Sequence, residues 1–471
     1  MSEAERYDVI VVGTGVAGSC AAIEALEAGA SVLMLDGDST AGGSSRNSSG
    51  VILAAKTRFQ AERGIKDDPQ SAYEYYMALN RHCIQPAVAR RLAYEGGPTV
   101  HWLADRGVKI IDLYVAGGEP VPRGHVTLGG GQIIEALHGQ LQKFPKLDIA
   151  LNSYVERLLH RDGTVYGVAT ADYEVEAGAV VLATGGMESN LQMLAEWYPQ
   201  AIADAAGNMR HMHLETARGD GIRLGRQVGA QIVGSGRGQR SPVGPLTGVY
   251  LPGYALIVNS LGLRYYDESS SYGLAEAQLT AQPGHIAYVI LDDATKSAMK
   301  TKADVAPYLK YLLADAEPGL RNWTSEGMNE LVAAGAIRKA DTLESLARLI
   351  GIPPASLAGT VERYNRNVAA GEDADYLKNS AWLRPVSTPP YYASPLAMSF
   401  LGVTGAGIRI DQDATVLHET ARSIPGLYAA GECTGGVLGD IYVGSGNSLV
   451  NCSVFGRVAG RNAAARALSL R

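Results

Sequence analysis

The chain has 471 residues, 46% hydrophobic and 19% charged, with 41 basic against 48 acidic side chains and a formal net charge of -7. That describes a folded chain of two to three domains and excludes disorder; with no long run of either sign, it also offers no electrostatic footprint for nucleic acid or an anionic membrane. Two features stand out: 56 glycines, well above the usual share of roughly 7%, and 24 tyrosines beside 4 phenylalanines.

The opening MSEAERYDVIVVGTG is acidic ahead of its apolar run and has no basic n-region. Glycines interrupt it where a membrane span needs about 20 apolar residues, so neither a signal peptide nor an integral membrane segment is expected. Residues Tyr7–Val12 read as a buried parallel strand, and Gly13-x-Gly15-x-x-Gly18 follows at once, with Val16 and Ala17 leading into a helical stretch. A second apolar run, SVLMLD, ends in Asp36. This is the pattern of a dinucleotide site: Gly13 makes the tight turn, Gly15 lets the backbone approach a pyrophosphate, Gly18 lets helix and strand pack closely, and the acid accepts from ribose hydroxyls. Directly after Asp36 comes GDSTAGGSSRNSSG, a second cluster of glycines and hydroxyls that includes Gly37, Gly42, Gly43, Ser44, Ser45, Ser49 and Gly50. It supplies donors for further phosphate and ribityl oxygens, which favours FAD over a nicotinamide.

Further along, Val180–Gly186 reads as a strand ending in the turn Ala183-Thr184-Gly185-Gly186, and Ile424–Gly436 as another ending in Gly431-Glu432. Three strand-then-glycine segments so far apart imply a nucleotide domain assembled from both ends of the chain, the middle being an insertion. Within that middle, residues 340–370 read as two short amphipathic helices around a Pro-Pro turn. Cys20, Cys83, Cys433 and Cys452 show neither close pairing nor metal-ligand spacing, so a reduced, cytoplasmic location is expected. With no haem-attachment motif and no cysteine cluster for iron–sulfur, redox chemistry falls to a dissociable cofactor.

Taken together, GTGVAG, GGSSRNSSG, ATGG, the segments Ala217–Ala230 and Val258–Glu268, and GLYAAGECTGGV resemble the FAD flavoproteins of the fumarate reductase and succinate dehydrogenase superfamily, which also contains the 3-ketosteroid dehydrogenases. The resemblance covers nearly the whole chain. It implies an α/β fold: a Rossmann-like FAD-binding domain of the glutathione-reductase type, residues 1–232 and 398–471, with an inserted α+β capping domain, residues 233–397, closing over the flavin. The FAD contacts it implies are those above together with Val155, Asp220, Ser448 and Leu449. Attachment is expected to be non-covalent, because GGSSRNSSG has no histidine where succinate dehydrogenases carry the flavin-linked one.

Fumarate and succinate enzymes clamp two carboxylates with arginines and histidines, and here the chain departs from them. The position eight residues after Arg264, where the proton-delivering arginine belongs, is Tyr272; the His-Thr-x-Gly-Gly element reads Gly402-Val403-Thr404-Gly405-Ala406; and the loop for a second arginine runs from Tyr442 to Leu449 without one. What stands there resembles the ketosteroid Δ1-dehydrogenases, in which a tyrosine and a glycine four residues on bind the ketone oxygen. By that resemblance Tyr442 and Gly446 bind the carbonyl, Tyr272 removes the α-proton, and Tyr114 assists it. The expected reaction is α,β-dehydrogenation: two donors, each worth roughly 3–4 kcal/mol where water is excluded, stabilise a developing enolate, and the β-hydrogen leaves as hydride to flavin N5.

The expected substrate is a cyclic ketone, a 3-ketosteroid or a smaller alicyclic ketone such as an oxocyclohexane carboxylate, and the electron acceptor a quinone, oxygen or an electron-transfer protein. An enone or enoate reductase running in reverse, and a flavoprotein whose cap pocket binds a partner, are the competing readings. Tyr265, Tyr266, Tyr391 and Tyr392 read as packing residues. Arg210–His213 (RHMH) holds the one close histidine pair but no evident third metal ligand, so no metal site is expected. Arg123, Arg237 and Arg240 are candidates to meet a substrate carboxylate, with solvated loop arginines as the default.

Overall fold

Val9 to Val12 leave both faces of the first strand apolar, which suits a parallel strand covered on both sides. In the computed structural model, strand Arg6–Val12 runs parallel between Val32–Leu35 and Glu174–Leu182, and the parallel set extends to Leu147–Ala150 on one side and Ser423–Ala429 on the other. Strand Thr415–Leu417 closes one edge antiparallel, and the hairpin of Arg157–Arg161 and Thr164–Ala169 attaches antiparallel to the N-terminal half of Glu174–Leu182. The structure describes residues 6–115, 119–205, 209–211, 213–234, 238–246, 251–270, 272–308, 320–439 and 441–471, without the side chains of Tyr272, Gly273 and Phe400.

The described chain forms two compact units. One comprises the residues up to Gln200, His211–Gln239 and Leu401–Arg471; the other comprises Ala201–Arg210 and Arg240–Phe400. In the first, the parallel sheet shares one core with helices Val16–Glu27 and Asn447–Ser469, through residues such as Ile10, Val180, Leu427, Ile23 and Phe455. A small second sheet in this unit orders Ile52–Leu53, Gly124–Val126 and Asp112–Tyr114, all antiparallel.

The second unit is built on the antiparallel strands Leu256–Asn259, Ile286–Asp292, Arg338–Ala340 and Tyr391–Val403. Its helix Leu343–Ile350 starts at Thr342, whose hydroxyl accepts from Ser345 N–H, and stops at Gly351 in the left-handed region. The helix after the Pro-Pro turn, Pro354–Ala370, runs for 17 residues. It is longer than the short element expected from the sequence, because the single interior glycine, Gly359, does not interrupt it and the next stop signal is Gly371 in the left-handed region. Leu346, Leu357, Val361 and Tyr364 bury its face and its neighbour's against Leu256, Val258 and Ile290. Among the described residues no helix is long and apolar enough to cross a membrane. All four cysteines are free, and only Cys83 is exposed.

Candidate functional site

The first glycine turn is pressed against the neighbouring strand end. Gly13 has φ 111°, and a Cβ on it would stand 2.2 Å from Ala183 O, while one on Gly18 would stand 1.9 Å from Gly13 O. Gly15 precedes the 12-residue helix Val16–Glu27 and offers no side-chain cap, which suits this helix start to an anion. Ser45 Oγ accepts from Val16 N–H at 3.2 Å, and Val16 and Ala17 are buried. Asp36 follows strand Val32–Leu35. Its Oδ2 accepts from Thr14 N–H (2.9 Å) and Thr14 Oγ–H (2.5 Å), and its Oδ1 from Asp38 N–H (2.9 Å). Thr14 Oγ in turn accepts from Gly42 N–H at 2.9 Å. Thr14, which the motif leaves as a variable position, thus ties the ribose-type acid to the second glycine cluster.

In that cluster Gly43–Asn47 forms a 3-10 turn; Ser44 Oγ accepts from Leu214 N–H (3.1 Å) and Gly50 O from Thr127 Oγ–H (2.7 Å), with Ser49 half-buried between them. A Cβ on Gly15 would stand 3.3 Å from Ser45 Oγ, and one on Gly43 3.7 Å from Gly15 Cα, so side-chain-free backbone faces side-chain-free backbone across this cradle. Gly37, Val155 and Asp220 converge on Tyr154, another residue sequence reasoning missed. Its hydroxyl donates to Asp220 Oδ1, and a Cβ on Gly37 would meet its ring at 3.2 Å. Arg223 bridges the other two, donating to Val155 O at 2.6 Å and to Asp220 Oδ1 at 3.2 Å. A glycine-lined helix start, an acid beyond the second strand and a donor-rich loop fit the pyrophosphate and ribose of FAD.

At the C-terminal ends of two neighbouring parallel strands lie Ala183-Thr184-Gly185-Gly186 and Gly431-Glu432, joined where Ala430 N–H donates to Leu182 O at 2.9 Å. Glu432 Oε1 accepts from Thr404 N–H (2.7 Å), and Glu188 Oε1 accepts from the same N–H (2.9 Å). Tyr198 Oη accepts from the next two amides, Gly405 and Ala406, at 2.8 Å each. Three successive amides of the segment lacking the family's histidine are thus bound by buried side chains. His213 Nδ1 lies 3.5 Å from Glu188 Oε2 and 3.9 Å from Glu432 Oε2, with Nε2 2.6 Å from Gly402 O. The expectation for RHMH is corrected accordingly: its histidines do not act as a pair, since His211 is exposed, and His213 has two carboxyl neighbours that sequence spacing could not reveal.

Tyr442, Gly446, Ser448 and Leu449 share one turn. Ser448 N–H donates to the buried Tyr442 hydroxyl at 2.9 Å, and Gly446, with φ 94°, precedes helix Asn447–Ser469. A Cβ on Gly446 would stand 2.7 Å from Leu53 N, and Leu53 N–H donates to Gly446 O at 3.2 Å. Leu53 pairs with Gly124, which pairs with Tyr114, so the small sheet carries Tyr114 and supports Gly446 along one cross-strand row. Burial holds the Tyr442 phenol above its ordinary value, which keeps it protonated and able to donate. Tyr272 opens helix Tyr272–Thr280 in the second unit, and its side chain lies outside the described residues.

The arginine expectations are corrected as well. Arg123 is 2% exposed and grips Asp67 through Nε (2.9 Å) and Nη2 (2.8 Å); Arg240 is buried on Asp204 at 2.6 Å; Arg237 lies outside the described residues. Both described arginines are committed to buried carboxylates, which a loop-like sequence context does not disclose. Arg264 is buried between Glu268 and Asp373, Tyr265 and Tyr266 stack with centroids 4.8 Å apart, and Tyr392 donates to Asp293.

The FAD binding domain family matches residues 8–449. Over 98% of its length the chain is 31% identical to NADH:fumarate oxidoreductase of Klebsiella pneumoniae (strain 342), spanning 48%, about half, of that protein. It is 30% identical to fumarate reductase (cytochrome) of Shewanella frigidimarina, covering 98% of this chain and 77% of the relative. Among solved structures, 3-ketosteroid-Δ4-(5α)-dehydrogenase from Rhodococcus jostii RHA1, bound to 4-androstene-3,17-dione, is similar with a TM-score of 0.80 and 27% identity, covering 98% of each chain.

Proposed function

We propose, from the premise that the chain belongs to the FAD-binding-domain family of flavoproteins, that it is an α,β-dehydrogenase of a cyclic ketone. Membership makes it an FAD-dependent oxidoreductase of the fumarate reductase family; the ketone, the direction and the residue roles are our reading. The observation that supports it most is the turn holding Tyr442 and Gly446, a protonated phenol beside the opening backbone of a long helix. That chemistry suits an oxygen gaining negative charge on a ketone, and the arginines of a dicarboxylate clamp are absent from the same loop.

In this reading the first unit holds the cofactor, through the backbone at Gly13, Gly15 and Gly18, Asp36, the Gly42–Gly50 loop, Val155, Ala183–Gly185, Asp220, Gly431, Glu432, Ser448 and Leu449. The second unit acts as the cap. FAD, when bound, supplies the two-electron acceptor. Tyr442 Oη–H and Gly446 N–H donate to the carbonyl oxygen, which acidifies the α-hydrogen. Tyr272 takes that proton as phenolate; since a free phenol has a pKa of about 10, it needs a hydrogen bond to its charged form, and Tyr114 is our candidate donor.

Of the relatives matched in sequence, one is a fumarate reductase and the other an NADH:fumarate oxidoreductase by name, which favours enone or enoate reduction as a second reading with the same donors. Anaerobic mixing of the purified flavoprotein with 3-ketosteroids and with monocyclic ketones separates the two. Bleaching of the flavin band near ~450 nm with an enone formed supports dehydrogenation. Reoxidation of reduced flavin by enones, with no ketone bleaching it, assigns the reductive direction instead.

A further inference from the structure

Three side chains from separate segments of the first unit converge on one buried point. His213 Nδ1 lies 3.5 Å from Glu188 Oε2 and 3.9 Å from Glu432 Oε2, and one ligand atom from each of the three residues falls within 4.8 Å of the others. The side chains of Glu188, His213 and Glu432 are 0%, 8% and 9% exposed. Gly186 makes the room: a Cβ on it would stand 2.5 Å from Glu188 Oε2 and 2.7 Å from Glu432 Oε1.

Neighbouring groups turn one atom of each residue toward the other two. Glu188 Oε1 and Glu432 Oε1 both accept from Thr404 N–H, at 2.9 and 2.7 Å, which leaves their second oxygens facing His213. His213 Nε2 is 2.6 Å from Gly402 O; a carbonyl can only accept, so Nε2 carries the hydrogen, and Nδ1 of the neutral ring is a bare lone pair. A metal-bound imidazole is held in this way, its far nitrogen donating to a backbone carbonyl. Nδ1 and Glu188 Oε2 are both buried without a hydrogen-bond partner.

Acceptors that point at acceptors in a buried site call for a cation between them. Among the described residues no lysine or arginine forms an ion pair with either carboxyl. Burial and the charge of Glu188 drive the Glu432 carboxyl well above its usual range, a repulsion that a cation relieves. A proton on Nδ1 would draw a carboxylate to about 2.7–2.9 Å, and neither separation approaches that. Ligands of a tetrahedral ion bound at about 2.0–2.1 Å stand ~3.3 Å apart, which small side-chain adjustments reach. One imidazole with two carboxylates is a borderline donor set that suits Zn²⁺, and three protein ligands leave a fourth position for water.

We propose that Glu188, His213 and Glu432 bind a divalent cation, Zn²⁺ by its donor set, which fastens the turns after strands Glu174–Leu182 and Ser423–Ala429 to the segment that carries His213. The site goes beyond the dehydrogenase reading and does not rest on it.

The untagged holoenzyme, produced with zinc in the medium, should carry about one equivalent of zinc per chain by elemental mass spectrometry. EDTA should remove the metal and lower the thermal midpoint, and Zn²⁺ alone should restore both. His213→Ala and Glu188→Gln should each hold less than about a tenth of an equivalent and lose the midpoint response; Glu432 stays intact in both, because the functional reading gives it to FAD. X-ray absorption at the zinc edge should show nitrogen and oxygen neighbours at about 2.0–2.1 Å, with imidazole scattering beyond them. If the variants do not fold, the wild-type zinc count, its restoration by Zn²⁺ and the first coordination shell still decide. Wild type that binds no zinc even when Zn²⁺ is added back, a sulfur neighbour to the metal, or a full equivalent retained in His213→Ala would each overturn the proposal. Failure of every ketone to bleach the flavin sinks the dehydrogenase reading while leaving these measurements intact.

Discussion

Gly186 and Glu188 compete for one volume: a Cβ on the glycine would stand 2.5 Å from Glu188 Oε2. Gly186 is absent from the positive-φ residues of the chain, so steric room and not backbone freedom demands a glycine there. Gly186→Ala should therefore cost about 1–3 kcal/mol as an overpacking change. Shortening the neighbour in Gly186→Ala/Glu188→Ala should recover part of that loss, a coupling of at least ~0.5 kcal/mol in a double-mutant cycle by denaturant unfolding. Strict additivity would mean that the glycine is required for another reason.

The Arg123–Asp67 pair is almost fully buried, with both side chains 2% exposed, and Gln60 and Ser71 complete it by donating to Asp67 and accepting from Arg123, respectively. Removing one partner strands a charge in a site without water. Arg123→Met should destabilise the protein by about 3–5 kcal/mol, and Arg123→Met/Asp67→Leu should restore most of it. Equal losses in the single and double variants, read from unfolding midpoints, would contradict an ion-pair role.

His125 sits fully buried in the small sheet that supports Gly446. Its Nδ1 faces Ile52 O (3.2 Å) and Arg123 O (2.9 Å), so it must donate, and its Nε2, 2.7 Å from Thr57 Oγ, accepts in the neutral ring. Burial pushes the imidazole down to about 4, against its hydrogen bonds to the Arg123 and Ile52 carbonyls, which raise it. The unfolded chain therefore binds the proton first. The stability this group adds is complete above about pH 6.5 and is lost as pH falls from there toward 4, on the order of 3 kcal/mol. His125→Gln should flatten the stability profile across that window, and an identical slope in variant and wild type would show that another group titrates there.

What could be read from the sequence was what the chain encodes locally. The Gly13-Gly15-Gly18 turn lies between a strand and a helix that follow one another directly, and Asp36 ends the next strand, so spacing alone exposed them. The Glu188–Glu432–Thr404–His213 cluster was not legible in this way. Its members come from four segments, and only the register of Glu174–Leu182 beside Ser423–Ala429 brings the two acids together. A usable signal did exist: the glycine turns after these two strands, at Gly186 and Gly431, are each followed within two residues by a glutamate. The arginines failed for the same reason, since Arg123 looks like a loop residue until Asp67 is seen to fold against it. The row of Tyr114, Gly124 and Leu53 likewise depends on antiparallel pairing that no local pattern specifies.

Tyr442 has two separable duties, which makes its removal informative. As acceptor for Ser448 N–H it contributes to the start of helix Asn447–Ser469, and Tyr442→Phe should cost about 1 kcal/mol of stability on that account. As donor to a developing enolate it should matter far more to rate, with turnover falling roughly 10²–10³-fold and ketone affinity falling with it. Tyr272→Phe should act differently: ketone binding persists, while exchange of the substrate's α-proton with D₂O and flavin reduction both cease. Exchange is read by mass spectrometry and flavin reduction by anaerobic stopped flow. If Tyr442→Phe loses only the stability increment, the phenol is a helix cap and the carbonyl is held elsewhere. If Tyr272→Phe still exchanges the α-proton, Tyr272 is not the base.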